Sequence, residues 1–305
     1  MKVMLIQIDG KMPNLALMKI SSYHKSKGNQ VGWAWANPDR VYISCIFSKN
    51  LPHARGIAKF YSEAKVQIGG PALEYPNNLP KEIEHCMPDY SLYPDMDYSL
   101  GFTTRGCIRN CPFCIVPKIE GYLKENAHPN EFHNPEFNKI VLMDNNLLAA
   151  KSWKETLQWI QKQDLKASFN QGLDARLIDK EKAEILAETK SYNLHFTNRT
   201  YYFSWDQIED EKEVLRGLEL MVDAGVNPND LMIYTLVGFN TSHKEDYYRY
   251  KTLTERGFEP FIMIYNNRKD DPWIRHFARY VNKRLYRVCD LNDYKYYEFN
   301  EASYL

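Results

Sequence analysis

Three of the chain's six cysteines, Cys107, Cys111 and Cys114, fall within eight residues of the stretch SLGFTTRGCIRNCPFCI (99–115). Thiolates so close together on one loop suit a thiophilic metal. The CxxxCxxC spacing supplies three ligands, and a [4Fe–4S] cluster held by three cysteines keeps one iron open to a substrate or cofactor. Structural zinc asks for four ligands, usually two CxxC-like pairs or a Cys/His set. It would have to borrow His128, His133 or a distant cysteine, and HPNEFH lacks finger spacing. Zinc is the lesser reading, and three cysteines in an ordinary core the least.

The 305 residues suffice for one large domain and a small one. Apolar content of 44% and charged content of 26% are those of an ordinary folded chain. Lys+Arg and Asp+Glu both total 39, so bulk charge gives no footprint for nucleic acid or an anionic membrane. The opening MKVMLIQIDG is interrupted by Gln7 and Asp9, too soon for a signal peptide, and reads as a buried strand. No run approaches the ~18 apolar residues of a membrane helix. The expectation is a cytoplasmic protein with no membrane partner, where thiols stay reduced and clustered cysteines hold metal or do chemistry.

The elements that must position the cysteines follow from periodicity. KVMLIQI (2–8) and VYISCIF (41–47) read as strands, separated by a helix with Leu17, Ile20 and Tyr23 on one face that stops at Gly28. ARGIAKFYSEAK places Ile57, Phe60, Tyr61 and Ala64 on one helical face, followed by the strand VQIG and the turn GGP. The proline-rich stretch Pro76 to Pro94 reads as linker. From residue 98, strand-like runs recur at SLGFTT, KIVLMDN, KASFNQ, TYYFSW, LMIYTLV and PFIMIY. Helical faces fall between them: Trp153, Leu157 and Ile160; Val214, Leu218, Met221 and Val222; Tyr247 and Tyr250. Such alternation indicates parallel strands with crossover helices, and six repeats are fewer than the eight of a closed barrel. Asp271 and Pro272 start a last helix carrying Trp273, Phe277, Tyr280 and Val281. The expected fold is α/β: a small Rossmann-like open domain over 1–85, a linker over 86–97, a partial (β/α)6 TIM-like barrel over 98–270, and a helical extension over 271–305.

The cysteines directly follow the first strand of the larger region, and reactive loops of barrel-like folds lie at strand C-terminal ends. CIRNCPFC, with an aromatic residue before the third cysteine, resembles the signature of the radical S-adenosylmethionine superfamily, and the resemblance spans about residues 98–267. It implies Cys107, Cys111 and Cys114 as ligands of a [4Fe–4S] cluster, with Phe113 near the adenine of S-adenosylmethionine. In that family the methionine amino and carboxylate groups chelate the open iron, and one electron cleaves the sulfonium to a 5′-deoxyadenosyl radical that abstracts hydrogen from the substrate. An electron donor of flavodoxin or ferredoxin type is implied as partner. By position, Asp144 and Asn145 of MDNN would receive the methionine amino group, although the commoner Gly-Gly-Glu is absent. Gln171, Asp174 and Arg176 of NQGLDAR would meet a carboxylate, ribose or substrate, and Ser204 and Asp206 of FSWD the ribose hydroxyls. Val237 and Gly238 of LVGFN would lay backbone against adenine. Each of these also has the plain reading of a strand-end turn, since Asn, Asp and Gly favour turns.

Residues 1–85 resemble the cobalamin-binding-type domain that precedes the radical barrel in one subgroup. The Asp-x-His-x-x-Gly motif of that domain is missing, and His24 reads as a surface histidine. This implies a degenerate relative that works without cobalamin, with bound cobalamin the lesser alternative. Cys45 and Cys86 are too few for the second cluster of a methylthiotransferase; Cys45 reads as core, and Cys86 and Cys289 as ordinary thiols that could instead donate hydrogen or accept methyl. The basic stretch RYVNKRLYR (279–287) would meet phosphate or be a solvated face. The substrate stays open among small molecule, peptide and nucleic acid. The competing class is a non-catalytic module in which the cysteines hold zinc or an inert iron–sulfur cluster.

Overall fold

The N-terminal strand signals assemble into a four-stranded parallel sheet. The structure, a computed structural model, describes residues 1–268 and 270–304, without the side chains of Asn267 and Ser303. Strands β1 (Lys2–Gln7), β2 (Gln30–Gly32), β3 (Arg40–Ser44) and β4 (Lys65–Gly69) lie in the order β2-β1-β3-β4. Helices α1 (Leu15–Ser26) and α2 (Leu51–Phe60) cover opposite faces. Alternation divides the sheet: Val3, Leu5 and Tyr42 pack with Leu17 and Ile20, whereas Met4, Val41 and Ile43 pack with Ala54 and Ile57. Asn14 caps α1 by accepting from the Leu17 N–H at 3.1 Å.

Two expectations for this region are corrected. Phe60 is 80% exposed, because on α2 it lies off the face that Ala54, Ile57 and Ala58 turn to the sheet; Ile57, Tyr61 and Ala64 do pack there. His24 is buried rather than on the surface, 3.0 Å from the Tyr42 hydroxyl and 3.1 Å from Asn29 Nδ2. The stretch 76–94, read as linker, is a strap docked on the sheet. Its short helix α3 (Lys81–Glu84) buries Ile83 against Val3 and Leu17, Asp89 accepts from Ser21 Oγ at 2.5 Å, and the Tyr93 hydroxyl donates to Gln7 Oε1 at 2.7 Å.

By packing, the described chain forms two compact units, residues 1–110 with 114–144 and residues 111–113 with 145–305. The division falls at Asp144, inside the stretch expected as barrel. The first unit continues with β5 (Ser99–Gly101), the two-residue strand β6 (Thr104–Arg105), the short helix α4 (Val116–Ile119), β7 (Lys124–Glu125) and β8 (Lys139–Leu142). β5 pairs parallel with β8, and β6 pairs antiparallel with β7, a hairpin that periodicity did not reveal.

The second unit holds α5 (Trp153–Lys162), β9 (Lys166–Phe169), α6 (Lys180–Glu188), β10 (Tyr201–Ser204), α7 (Glu211–Asp223), β11 (Leu231–Val237), α8 (His243–Glu255), β12 (Glu259–Ile264) and α9 (Pro272–Asn282). β10, β11 and β12 form a parallel sheet in sequence order. Along β11, Leu231, Ile233, Thr235 and Val237 are buried while Met232, Tyr234 and Leu236 are partly exposed, the period of two of a sheet with unlike faces. α9 starts as its sequence requires, with the Asp271 carboxylate accepting from Ile274 N–H at 3.2 Å and Pro272 in the first turn. The chain is thus a mixed α/β protein with parallel sheets. Among the described residues no helix is long and apolar enough to cross a membrane.

Candidate functional site

The start of the cysteine loop is held by a chain of charged side chains in the first unit. Glu120 accepts from the Gly106 N–H at 2.8 Å through Oε2 and from Arg105 Nη1 at 3.1 Å through Oε1. Arg105 lies 3.7 Å over the Phe102 ring and 3.6 Å from Glu84, which in turn receives the buried Lys19 ammonium at 2.9 Å. Burial would raise the Glu84 pKa, but Lys19 and Arg105 outweigh it and hold the carboxyl below its usual range. Burial depresses Lys19 despite Glu84. Gly106 has φ +76, and a Cβ there would meet the Tyr122 carbonyl oxygen at 2.5 Å. Only glycine permits this turn and this approach.

The Cys107 N–H then donates to the Gly121 carbonyl at 3.3 Å, and the Arg109 N–H donates to Cys107 Sγ at 3.3 Å. An amide proton on a cysteine sulfur is one of the contacts by which proteins set iron–sulfur potentials. All three cysteines of the loop are half-buried and in no disulfide. Packing assigns Cys107 and Cys114 to the first unit and Cys111 to the second. Among the described residues no group of three or more His, Cys, Asp or Glu side chains is gathered as a metal site.

Asp144 is buried at the end of β8 and serves the turn after β5. Its Oδ1 accepts from Thr103 Oγ1 at 2.7 Å, Thr104 N at 2.5 Å and Thr104 Oγ1 at 2.6 Å, and its Oδ2 from Thr103 N at 3.2 Å. Burial pushes its pKa up, against the hydrogen bonds from Thr104 and Thr103. These contacts engage both oxygens in fixing Thr103 and Thr104.

In the second unit, Phe113 meets Phe239 edge-on at 5.6 Å, and Phe239 meets Tyr265 at 4.8 Å. Gly238, which precedes Phe239, has a φ of +78 that favours glycine, and a Cβ there would come 2.9 Å from Ile274 Cδ1. Val237 is fully buried. Arg176 is gripped by Asp174, 2.7 Å from Nε, and by Asp210, 2.6 Å from Nη1. Burial opposes its charge, but Asp174, Asp210 and then Cys111 outweigh that and hold the guanidinium firmly protonated. Asp174 also accepts from Asn146 Nδ2 at 3.3 Å.

Ser204 and Asp206 follow at the end of β10. Asp206 Oδ1 accepts from the Leu236 N–H at 3.0 Å. Burial pushes its pKa up to about 6, tempered by the Leu236 amide, Arg249, Arg176 and Ser204. Arg249 of α8 donates to the carbonyls of Trp205, Asp206 and Leu236 at 2.8–2.9 Å, joining the ends of β10 and β11. Asn145 is half-buried and Gln171 exposed. A cleft of about 430 Å³ in this unit, lined by Glu184, Arg199 and Asp230, sits at the opposite, N-terminal ends of β10 and β11.

Sequence reasoning missed Glu120, Asp210, Arg249 and Phe239. Glu120 and Arg249 had the appearance of surface charges, and Asp210 stood in a charged run that reads as a solvated helix start. Phe113 of CPFC was expected beside an adenine; the structure places its ring edge-on to Phe239.

In the N-terminal sheet the strand order reverses between β1 and β3, the position where open α/β sheets take ligands. There the strap's Tyr93 hydroxyl accepts from the Asn14 N–H at 3.0 Å while donating to Gln7, and Asn14 Nδ2 donates to Ser44 Oγ at 2.7 Å. The crevice is filled by the chain itself, and His24 is held in the core by Tyr42 and Asn29. Neither feature fits a cobalamin with a histidine ligand.

The sequence matches no family model and no curated protein.

Proposed function

We propose that this chain is a radical S-adenosylmethionine enzyme on a partial (β/α)6 barrel, with Cys107, Cys111 and Cys114 as the protein ligands of a [4Fe–4S] cluster. The observation that carries the reading is the loop itself: three thiols in eight residues, outside any disulfide and without a fourth ligand at fixed spacing. Its donors fit the group in kind and number. The Arg109 amide on Cys107 Sγ is a contact of the kind that tunes iron–sulfur clusters.

When bound, the cluster and S-adenosylmethionine supply a one-electron cleavage of the sulfonium and a carbon radical that takes hydrogen from the substrate; a flavodoxin- or ferredoxin-type donor supplies the electron. The chain's own residues bind and orient. Glu120 and Gly106 set the start of the loop. Phe113, Phe239 and Gly238 offer an apolar edge and a close backbone approach for adenine. Ser204 and Asp206 offer oxygens to ribose hydroxyls, and Asn145 and Gln171 the remaining polar contacts at the strand ends. Arg176, already neutralised by two carboxylates, orders this rim rather than presenting bare charge.

The test is anaerobic reconstitution with iron and sulfide, reduction with dithionite and chromatographic assay for 5′-deoxyadenosine, beside Cys111→Ala. Product formation lost in the variant is expected. A brown, fully loaded protein that yields no cleavage product with any reductant overturns the catalytic reading in favour of a binding module.

A further inference from the structure

From Pro272 to Cys289 the chain contains five Arg and Lys residues and no acid, although the protein as a whole is neutral. α9 sorts them. Trp273, Phe277, Tyr280 and Val281 are buried and fix the helix's rotation. Arg275, Arg279 and Lys283, spaced four apart, therefore form one exposed row. Beyond the helix, Arg284 and Arg287 share a single carboxylate, Glu259, and so bring a surplus positive charge to the same end.

Flat rings interleave with this row. The Arg279 guanidinium lies 4.5 Å from the centre of the Tyr296 ring, and the Lys295 ammonium 5.3 Å from it; Tyr296 is 52% exposed. One turn back on α9, His276 stacks on Tyr297 with ring centres 4.8 Å apart and planes 9° from parallel. Burial and then Arg275 and Arg279 depress the His276 pKa, so the imidazole stacks as a neutral ring. A solvated charged face needs no such rings.

We infer that the exposed face of α9 with Tyr296 binds single-stranded nucleic acid, the cationic row tracking phosphates and the exposed Tyr296 ring receiving a base, while the His276–Tyr297 stack holds the segment that carries Tyr296 against the helix. Sequence-tolerant binding to single strands uses this combination, since every base has a π-face and every nucleotide one charge. The inference stands independently of the cysteine loop.

The test is fluorescence anisotropy of the full chain with labelled oligouridylate and oligothymidylate of about 15 nucleotides, and with a duplex of the same length, from about 50 to 200 mM salt. Single strands are expected to bind more tightly than duplex, with log affinity falling against log salt with a slope near about −2 for the three helix cations. The charge reversal Arg279→Glu/Lys283→Glu should weaken binding at least about tenfold and flatten the slope. Tyr296→Ala should weaken it about tenfold with the slope retained. Circular dichroism confirms folding, and Arg279→Gln/Lys283→Gln replaces the reversal if it misfolds. RNA against DNA preference identifies the strand type. Equal affinity for heparin together with no effect of Tyr296→Ala, or no binding at low salt, overturns the inference.

Discussion

Arg249 Nη2 lies 2.6 Å from Asp246 Oδ1 with both side chains wholly shielded from solvent. The pair sits one helical turn apart on α8, and the same guanidinium collects the carbonyls at the ends of β10 and β11. Arg249 Nε and Asp246 Oδ2 nonetheless find no partner, so the pair is buried at a cost that the strand-end contacts offset.

Removing one member should strand the other. Arg249→Met is expected to lower unfolding stability by about 3–5 kcal/mol, and Arg249→Met/Asp246→Leu to recover much of the loss. Urea denaturation of the single and double variants measures both. A double variant as unstable as the single would show that the carbonyl clamp, not the charge pair, dominates.

Gly106→Ala should disturb the cysteine loop without touching a thiol. The Cβ would strike the Tyr122 carbonyl at 2.5 Å in a backbone conformation that alanine disfavours. Stability should fall by roughly 1–3 kcal/mol and iron loading with it. Full iron loading at unchanged melting temperature would refute the tight approach.

Glu120 separates hydrogen bonding from charge. Glu120→Gln keeps an acceptor for the Gly106 N–H and loses the charge facing Arg105; Glu120→Ala loses both. Iron and sulfide bound per chain after reconstitution should rank wild type, then Gln, then Ala. Equal loading of all three would remove Glu120 from the positioning of the loop.

Asp206 gives a pH dependence of definite sign. Its carboxyl is raised to about 6 in the folded chain, chiefly by burial, so the folded state holds a proton that the unfolded state has already released. This group's contribution is therefore complete below its unfolded pKa and is lost as pH rises from about 4 through 6. Asp206→Asn keeps an acceptor for Leu236 and removes the charge. The stability of wild type relative to the variant should fall by on the order of 3 kcal/mol between pH 4 and 7, followed by urea melts across that range. A pH-independent difference would contradict the raised pKa.

Legibility in the sequence followed distance along the chain. The strands from Lys2, Lys139, Lys166, Tyr201, Leu231 and Glu259 were readable from runs of β-branched and aromatic residues, and α9 from Asp271 and Pro272. The helix face through Phe60 failed because three-residue spacing from Ile57 admits two sides of the stripe, and Ala54 and Ala58 fix the buried side away from Phe60. β6 and β7 are two residues each, too short for any pattern to form.

The candidate site divides the same way. The proposal for three sulfurs in eight residues was read without a fold, because covalent spacing alone keeps them near one another. Which side chains surround them is a matter of long-range packing. Arg176 reaches Asp210 across 34 residues, Arg249 reaches Trp205 across 44, and Lys19 reaches Glu84 across 65. A charged residue has the same local sequence signature whether it faces water or a buried partner. The burial of His24, the docking of Tyr93 into the crevice of the N-terminal sheet and the engagement of Asp144 by two threonines were decided only when tertiary contacts selected which polar groups would find one another away from solvent.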